Sequence, residues 1–270
     1  MIGILRKLQV SHAQPINYTL TFGDNAVALN PYIGKNISFR HTGKIHCIAC
    51  GNRTKKSYSQ GHCYTCMRTL ACCDMCILKP ETCHHANGTC REPEWGQQFC
   101  MSPHFVYLAN TSGAKVGITR HTQIPTRWID QGATQALPIL KVQSRLLSGL
   151  VEVILGKHIA DKTNWRAMLK GGSAPLDLRE IKHHLLELEK DNLAQLQEQY
   201  GDQAITFIDD IETTLDYPVI TYPEKISSHN LDKNPILEGT LLGIKGQYLI
   251  LDSAVINIRK YSGYEIEWIE

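Results

Sequence analysis

CIACGNRTKKSYSQGHCYTC, residues 47–66, holds two Cys-x-x-Cys pairs, Cys47 with Cys50 and Cys63 with Cys66, on either side of a polar loop. Two residues between cysteines let both thiolates turn toward one ion. Two such pairs across a hairpin-length loop complete a tetrahedral site with Zn–S distances of about 2.3 Å. Four sulfur ligands leave no position for water, which predicts a structural zinc. The alternative, a disulfide framework, needs an oxidising compartment. The opening MIGILRKLQV lacks the long apolar core and small-residue cleavage site of a secretory signal. The expected compartment is therefore the cytoplasm, and the expected chemistry of the cysteines is metal binding.

All ten cysteines lie between Cys47 and Cys100. Beyond the first four, Cys73 and Cys76 form a third close pair, and Cys83 and Cys90 follow at loop-compatible distances. These four are the first choice for a second zinc site, with Cys100 or His104 as replacements for either of the last two. Cys72 reads as a buried small hydrophobe, since free cysteine is among the most buried residue types. His84 and His85 stand open between solvated loop residues and ligands. Two structural zinc ions are expected in all.

A chain of 270 residues with 43% hydrophobic content supports two or three small domains. Its apolar stretches, such as that around Leu150 to Leu155, are interrupted by Glu152 and fall far short of the ~20 residues a bilayer requires, so no membrane partner is expected. The formal charge of +2 hides an asymmetry. Up to Cys73 the only acid is Asp24, against a set of cations that includes Arg6, Lys7, Arg53, Lys55 and Lys56, whereas residues 177–216 are densely acidic. A four-thiolate zinc site carries a net charge of about −2, so part of the basic excess balances the metals. The remainder marks Arg53, Lys55 and Lys56 as a candidate phosphate-binding surface, with nucleic acid, DNA or RNA, as the expected partner.

Five regions follow from composition and periodicity. Residues 1–46 carry strand-like runs (INYTLTF, KNISFRHTGKIH) and read as an antiparallel β region. Residues 47–102 form the zinc-binding segment. Residues 103–172 begin with a strand-turn-strand pattern, FVYLA-NTSG-KVGIT, and continue into helices, one opening near Pro125 and one with Leu147, Leu150, Val151, Ile154 and Leu155 on a single face. GGSAP, residues 171–175, is the best linker. Residues 173–216 read as a charged helical region. Residues 217–270 return to alternating strands that the N-terminal strands would complete into a small barrel or sheet. The class is α+β.

FVYLANTSGAKVGITR, with Arg127, Glu152 and Asn164 downstream, resembles the GIY-YIG nuclease superfamily over about a quarter of the chain. In that superfamily a two-strand hairpin carries the signature, and later helices supply an arginine, a metal-binding glutamate and often an asparagine. The resemblance implies a small α/β domain. It places Tyr107 as the first-motif tyrosine, Gly117 as the second-motif glycine, Arg127 as the phosphate-stabilising arginine, and Glu152 as the ligand of a catalytic Mg²⁺ or Mn²⁺. Phe105 stands where the first-motif glycine would be, and Lys115 replaces the second-motif tyrosine. Over almost its full length the chain is also similar to an uncharacterised bacterial family, domain of unknown function 2797, in which the cysteine pattern, KVGITR and PTRWIDQGA recur together.

The residues support this chemistry in their own right. Glu152 sits at the edge of an apolar helix face between Ser148 and Gly156, with room for a Mg²⁺ that takes its remaining ligands from water and a phosphate. The planar fork of Arg127 suits a phosphate in its charged transition state. Tyr107 can position or deprotonate the attacking water with a neighbouring cation such as Lys115. The ordinary structural alternative pairs Glu152 with Arg145, packs Tyr107 in a sheet and leaves Arg127 on the surface. Trp128 and Trp165 are candidates for base stacking or for core positions. KVGITR lacks the spacing of a nucleotide phosphate loop. The expected function is a zinc-stabilised, nucleic-acid-associated protein. Two versions stay open: a divalent-metal-dependent phosphodiesterase, or a non-catalytic nucleic-acid-binding or protein-interaction module.

Overall fold

HFVYLAN, residues 104–110, is buried at every position. A strand covered on both faces shows a continuous apolar run in place of alternation, and this one is the second layer of a stack. The structure, a computed structural model, describes residues 1–160, 162–171 and 173–269. Gly172, the expected end of the hairpin-bearing domain and part of the GGSAP linker, lies outside the described residues.

In chain order the strands are β1 (Ile2–Ile4), β2 (Gln9–Ser11), β3 (Asn17–Phe22), β4 (Asn25–Ala28), β5 (Asn36–His46), β6 (Arg53–Thr54), β7 (His104–Asn110) and β8 (Ala114–Arg120). They continue as β9 (Gln135–Val142), β10 (Ile205–Phe207), β11 (Thr213–Thr214), β12 (Ile236–Lys245), β13 (Tyr248–Leu251), β14 (Val255–Asn257) and β15 (Tyr264–Trp268). The helices are α1 (Tyr64–Thr69), α2 (Pro93–Phe99), α3 (Thr126–Asp130), α4 (Arg145–Leu155), α5 (Trp165–Leu169), α6 (Leu178–Leu188) and α7 (Lys190–Tyr200). The class is mixed α+β with antiparallel sheets and a cysteine-rich segment.

The largest sheet runs β1-β15-β5-β12-β13-β14, with β6 on the end of β5. It is built from both ends of the chain: β5 pairs with β12 (Phe39 opposite Leu237) and with β15 (Phe39 opposite Trp268). The Met1 ammonium donates to the Trp268 carbonyl at 3.1 Å. A three-stranded sheet, β2-β3-β4, joins the same core through Tyr18, Leu20 and Phe22.

The second large sheet runs β10-β9-β7-β8, with β11 on β9. Period-two alternation splits β7 between two cores. Tyr107 and Ala109 face the terminal-strand body, and Val106 and Leu108 face α4, α6 and α7. The β7–β9 register shifts between Val106 and Tyr107, where Pro138, which has no N–H to donate, sits opposite Tyr107.

Ser144 caps α4 by accepting from the Leu147 amide, and Leu147, Val151 and Leu155 bury its apolar face. The acidic stretch expected as one charged helix is two. It breaks at Glu189, whose buried carboxylate binds His158 Nε2 at 2.6 Å and also Asn192. A carboxylate held from outside the helix fixes the break. Leu178, Leu185 and Leu193 then pack onto the second sheet.

One core position is costly. Lys245, at the end of β12, is 1% exposed and its Nζ lies 5.4 and 5.3 Å from the ring centres of Tyr217 and Tyr222. Burial disfavours its charged form and lowers its pKa from 10.5 to about 8. For a cation whose folded pKa lies below its unfolded one, the penalty is full below the folded value and relieved as pH rises toward the unfolded value. Lys245→Met should therefore stabilise the fold at pH 7 by about 1–3 kcal/mol, and the gain should shrink between pH 8 and 10.5. Denaturant unfolding at both ends of that window checks it. A variant less stable than wild type at pH 7 would show that the two aromatic rings outweigh desolvation.

Candidate metal centres and a basic cleft

The ligand atoms of Cys47, Cys50, Cys63 and Cys66 all lie within 4.8 Å of one another. β5 delivers Cys47, a turn closed by the Gly51 amide on the Cys47 carbonyl delivers Cys50, and Cys63 caps α1, its sulfur accepting from the Cys66 amide at 3.4 Å. Cys50 and Cys63 Sγ are 3.9 Å apart, close to the about 3.8 Å edge of a tetrahedron with 2.3 Å bonds. Burial alone would raise the Cys47 pKa, but hydrogen bonds led by the Cys50 amide outweigh it and bring it down to about 6. Cys66, hydrogen-bonded to Cys63, is pushed up. Without an ion one sulfur takes the charge and its neighbours keep protons; a divalent cation lets all four be thiolates. This cluster can hold a metal ion such as zinc.

The remaining cysteines divide differently from the first-choice set. Cys73 leaves it and sits with Cys72 and His62, their ligand atoms mutually within 4.8 Å. Cys72 is exposed, contrary to its expected core position. Cys83 is hydrogen-bonded to Cys100, which lowers Cys83 to about 5 and raises Cys100. Cys76 is within electrostatic reach of Cys83, Cys90 and Cys100. Of the two replacements Cys100 is the one in contact with this set, through Cys83, while the ligand atoms that lie within 4.8 Å of one another around Cys76 are those of Asp74, Cys76 and His84. His104 is buried, its Nδ1 on the Ser102 carbonyl at 2.8 Å, and burial lowers its pKa to about 4. His84 lies 3.5 Å from Asp74, which also pairs with Arg91 at 2.7 Å.

Arg145 ties this second cluster to α4. Its guanidinium donates to the Ile77 carbonyl at 2.7 Å and the Cys76 carbonyl at 3.4 Å, and its amide donates to the Cys100 carbonyl at 2.7 Å. Burial lowers the Arg145 pKa, while Cys100, Cys76 and Cys83 act against that. The residue expected as an alternative partner of Glu152 thus places a half-buried positive charge beside Cys76, Cys83 and Cys100. Gly149, one turn along, allows the backbone of Pro80 and Glu81 to lie directly on the helix: a Cβ there would stand 2.3 Å from the Glu81 nitrogen.

Tyr107 lies against Arg127, with Glu152 within electrostatic reach of it. Tyr107 pairs across the hairpin with Gly117, and a Cβ on Gly117 would lie 2.7 Å from the Tyr107 hydroxyl oxygen, so only glycine leaves room for the ring. The hydroxyl donates to Gln131 Oε1 at 3.0 Å and is hydrogen-bonded to Arg127. Burial raises the Tyr107 pKa, Arg127 opposes that, and Glu152 adds to it. The ring is fully enclosed, edge-on to Trp128. Tyr107 is thus an enclosed residue whose hydroxyl is engaged by Gln131 and Arg127. Lys115 is buried two residues before Gly117 on the same side of β8. Asn164 lies apart beside the β7–β8 turn: its side-chain oxygen caps α5 by accepting from the Ala167 amide, and its backbone amide donates to the Ser112 hydroxyl. Trp128 is core, and Trp165 stacks on Tyr248.

Arg127 opens onto a cleft of about 730 Å³ where the N-terminal strands, the cysteine-rich segment and the C-terminal turn meet. Arg6, Lys7 and Arg259 line it with Arg127, as do His62 and Cys72. A carboxylate beside it, Asp130, is engaged by Lys7 at 2.7 Å, by Arg259 at 3.8 Å and by Gln247 at 2.8 Å. Burial lowers the Arg259 pKa, Asp130 opposes that, and Arg127 adds to it as a like charge. Arg53, Lys55 and Lys56 are exposed on and after β6, on a different patch. Arg6 and Lys7 were visible as part of the basic N-terminal half, whereas Arg259 had no sequence signal.

Among the described residues no helix is long and apolar enough to cross a membrane. No curated protein and no solved structure matches the chain. The family described as protein of unknown function (DUF2797) matches residues 34–266, from the approach to β5 into β15, and the chain belongs to that family.

Proposed function

We propose that the protein is a metal-scaffolded, nucleic-acid-binding protein that takes the phosphate backbone in the Arg127 cleft. The observation that supports this best is the grouping of Arg6, Lys7, Arg127 and Arg259 along one cleft, with Asp130 engaging Lys7 and Arg259. Cations gathered against their own repulsion make an anion site, and the planar forks of arginine suit phosphate oxygens. The Cys47 cluster and the Cys76, Cys83, Cys90 and Cys100 group would hold two zinc ions that fix the wall of the cleft. Binding of single- or double-stranded DNA or RNA should weaken as salt rises. Arg6→Ala and Arg127→Ala should each weaken it and reduce the salt slope by about 1. Joint replacement of Arg53, Lys55 and Lys56 tests whether the β6 patch extends the surface. Unchanged affinity and slope in both cleft variants would remove the reading.

A second reading is phosphodiester hydrolysis, favoured by the nearness of Gly117, Arg127 and Glu152 to Tyr107, the positions that carry the GIY-YIG resemblance. Glu152 would hold a Mg²⁺ or Mn²⁺ ion, which supplies a water for attack when bound, and Arg127 would stabilise the charge on phosphorus. Glu152→Ala should then abolish divalent-metal-dependent nicking with the circular dichroism spectrum unchanged, and Arg127→Ala should lower turnover by roughly 10² to 10³. If zinc-loaded wild type given Mg²⁺ or Mn²⁺ cleaves no DNA or RNA, binding alone remains, and Phe105, Lys115 and the enclosed Tyr107 are the physical reasons.

A further inference from the structure

His62, Cys72 and Cys73 form a group separate from both cysteine clusters, and it differs from them in kind. Three ligand atoms lie within 4.8 Å of one another. Cys72 Sγ is 3.9 Å from His62 Nε2 and 3.9 Å from Cys73 Sγ, again near the about 3.8 Å edge of a tetrahedral zinc site. His62 Nδ1 sits 3.1 Å from the Ser59 carbonyl. That contact fixes the tautomer with the proton on Nδ1 and aims the Nε2 lone pair at the two sulfurs, the outer-shell arrangement of metal-bound histidines. Ser59 also hydrogen-bonds the Cys73 sulfur, and Arg91 lies within electrostatic reach of it.

The backbone explains why these atoms meet. Ser59 and Gln60 both take positive φ, 42° and 61°, in a turn closed by paired Tyr58 and His62 amides, which swings His62 back toward the cysteine pair. Two consecutive non-glycine residues in the left-handed region cost energy, and such strain persists only where the surroundings hold it.

We propose that His62, Cys72 and Cys73 bind a third ion of the zinc class, with its remaining coordination position open to the Arg127 cleft. His62 and Cys72 both line that cleft, together with Ser59, Arg6, Lys7, Arg127 and Arg259. Two thiolates and one neutral imidazole leave a divalent ion with no net charge to spare, so the cations of the cleft wall favour an anion in the open position. Three protein ligands with an open place is the pattern of reactive zinc sites, whereas four sulfurs close a structural one. The metal site itself does not depend on the nucleic-acid reading.

The test is metal content and cobalt spectroscopy on the full chain purified without chelator. Cys72→Ser and His62→Ala should each lower bound metal by one equivalent with the fold unchanged, Cys83→Ser should remove a different equivalent, and Cys72→Ser with Cys83→Ser should remove both. In Co²⁺-substituted protein, azide should shift the visible bands of wild type and leave those of Cys72→Ser unmoved, because the all-sulfur sites have no free position. Full metal content in both Cys72→Ser and His62→Ala, or a Cys72–Cys73 disulfide in place of metal in freshly purified protein, would overturn the site. Azide-insensitive bands in wild type that carries the third ion would overturn the open position. None of these readings uses nucleic acid, so they stand or fall separately from phosphate binding.

Discussion

Removal of bound metal should unfold residues 47–102, β6 included, while the other strands of the two large sheets keep their protection. The buried apolar side chains of this segment are Ala71, Pro80 and the cysteines Cys47, Cys76 and Cys100, so apolar packing contributes little to holding it. Its helices α1 and α2 are 6 and 7 residues long, and its other helical turns have 3 residues each. Helices below about 12–15 residues do not persist alone. Structural zinc supplies about 10–16 kcal/mol in small cysteine-rich units, comparable to the whole stability of an ordinary domain, about 5–15 kcal/mol. Hydrogen exchange before and after treatment with a strong chelator should show protection lost throughout the segment. Cys47→Ser should reproduce the loss around β6 and α1. Unchanged exchange in stripped protein would mean that the segment is held by packing, contrary to its composition.

Gly149→Ala should destabilise the fold, although the same change in a free helix gains about 1 kcal/mol. The sign reverses because the new Cβ would meet main chain, the Glu81 nitrogen at 2.3 Å and the Pro80 carbonyl carbon at 2.6 Å. Main chain cannot swing aside as a side-chain tip can. Either α4 or the turn Pro80–Thr82 must retreat, which breaks the Arg145 bonds to the Cys76 and Ile77 carbonyls. A loss of about 3 kcal/mol is expected for alanine, at the upper end of overpacking effects, and more for valine. Thermal unfolding measures the loss. Metal analysis should show weaker retention at the Cys76, Cys83 and Cys100 group and unaltered retention at Cys47. A stability equal to wild type for Gly149→Ala would mean that this contact gives way freely.

What could be read from the sequence was what is local. The pairs at Cys47 and Cys63 lie across one hairpin-length loop, and spacing alone brings their sulfurs together. The second group was not legible because Cys83 and Cys100 are joined by a three-residue turn and by α2, with Arg145 arriving from the distant α4. The run FVYLA announced a strand, but an all-apolar strand does not say which residues face which core, and so the enclosure of Tyr107 was hidden. Helical periodicity continues across Glu189, and only His158 and Asn192, which hold its carboxylate, reveal the break. The cleft was least visible of all, since Arg6 and Arg259 come from opposite ends of the chain.

That the largest sheet is shared between the two ends of the chain bears on how the protein is made. On the ribosome β5 emerges long before its partners β12 and β15, yet the cysteine-rich segment follows it at once. A chain that must wait for strands more than two hundred positions later, as Arg40 waits for Glu267 (227 positions apart), closes that sheet slowly. Metal capture by Cys47, Cys50, Cys63 and Cys66 needs only local chain, so the ion can be in place while the sheet is still unpaired. A metal ion captured there during translation would anchor nascent β5 before its partner strands arrive, where a chain without it would carry an exposed strand edge.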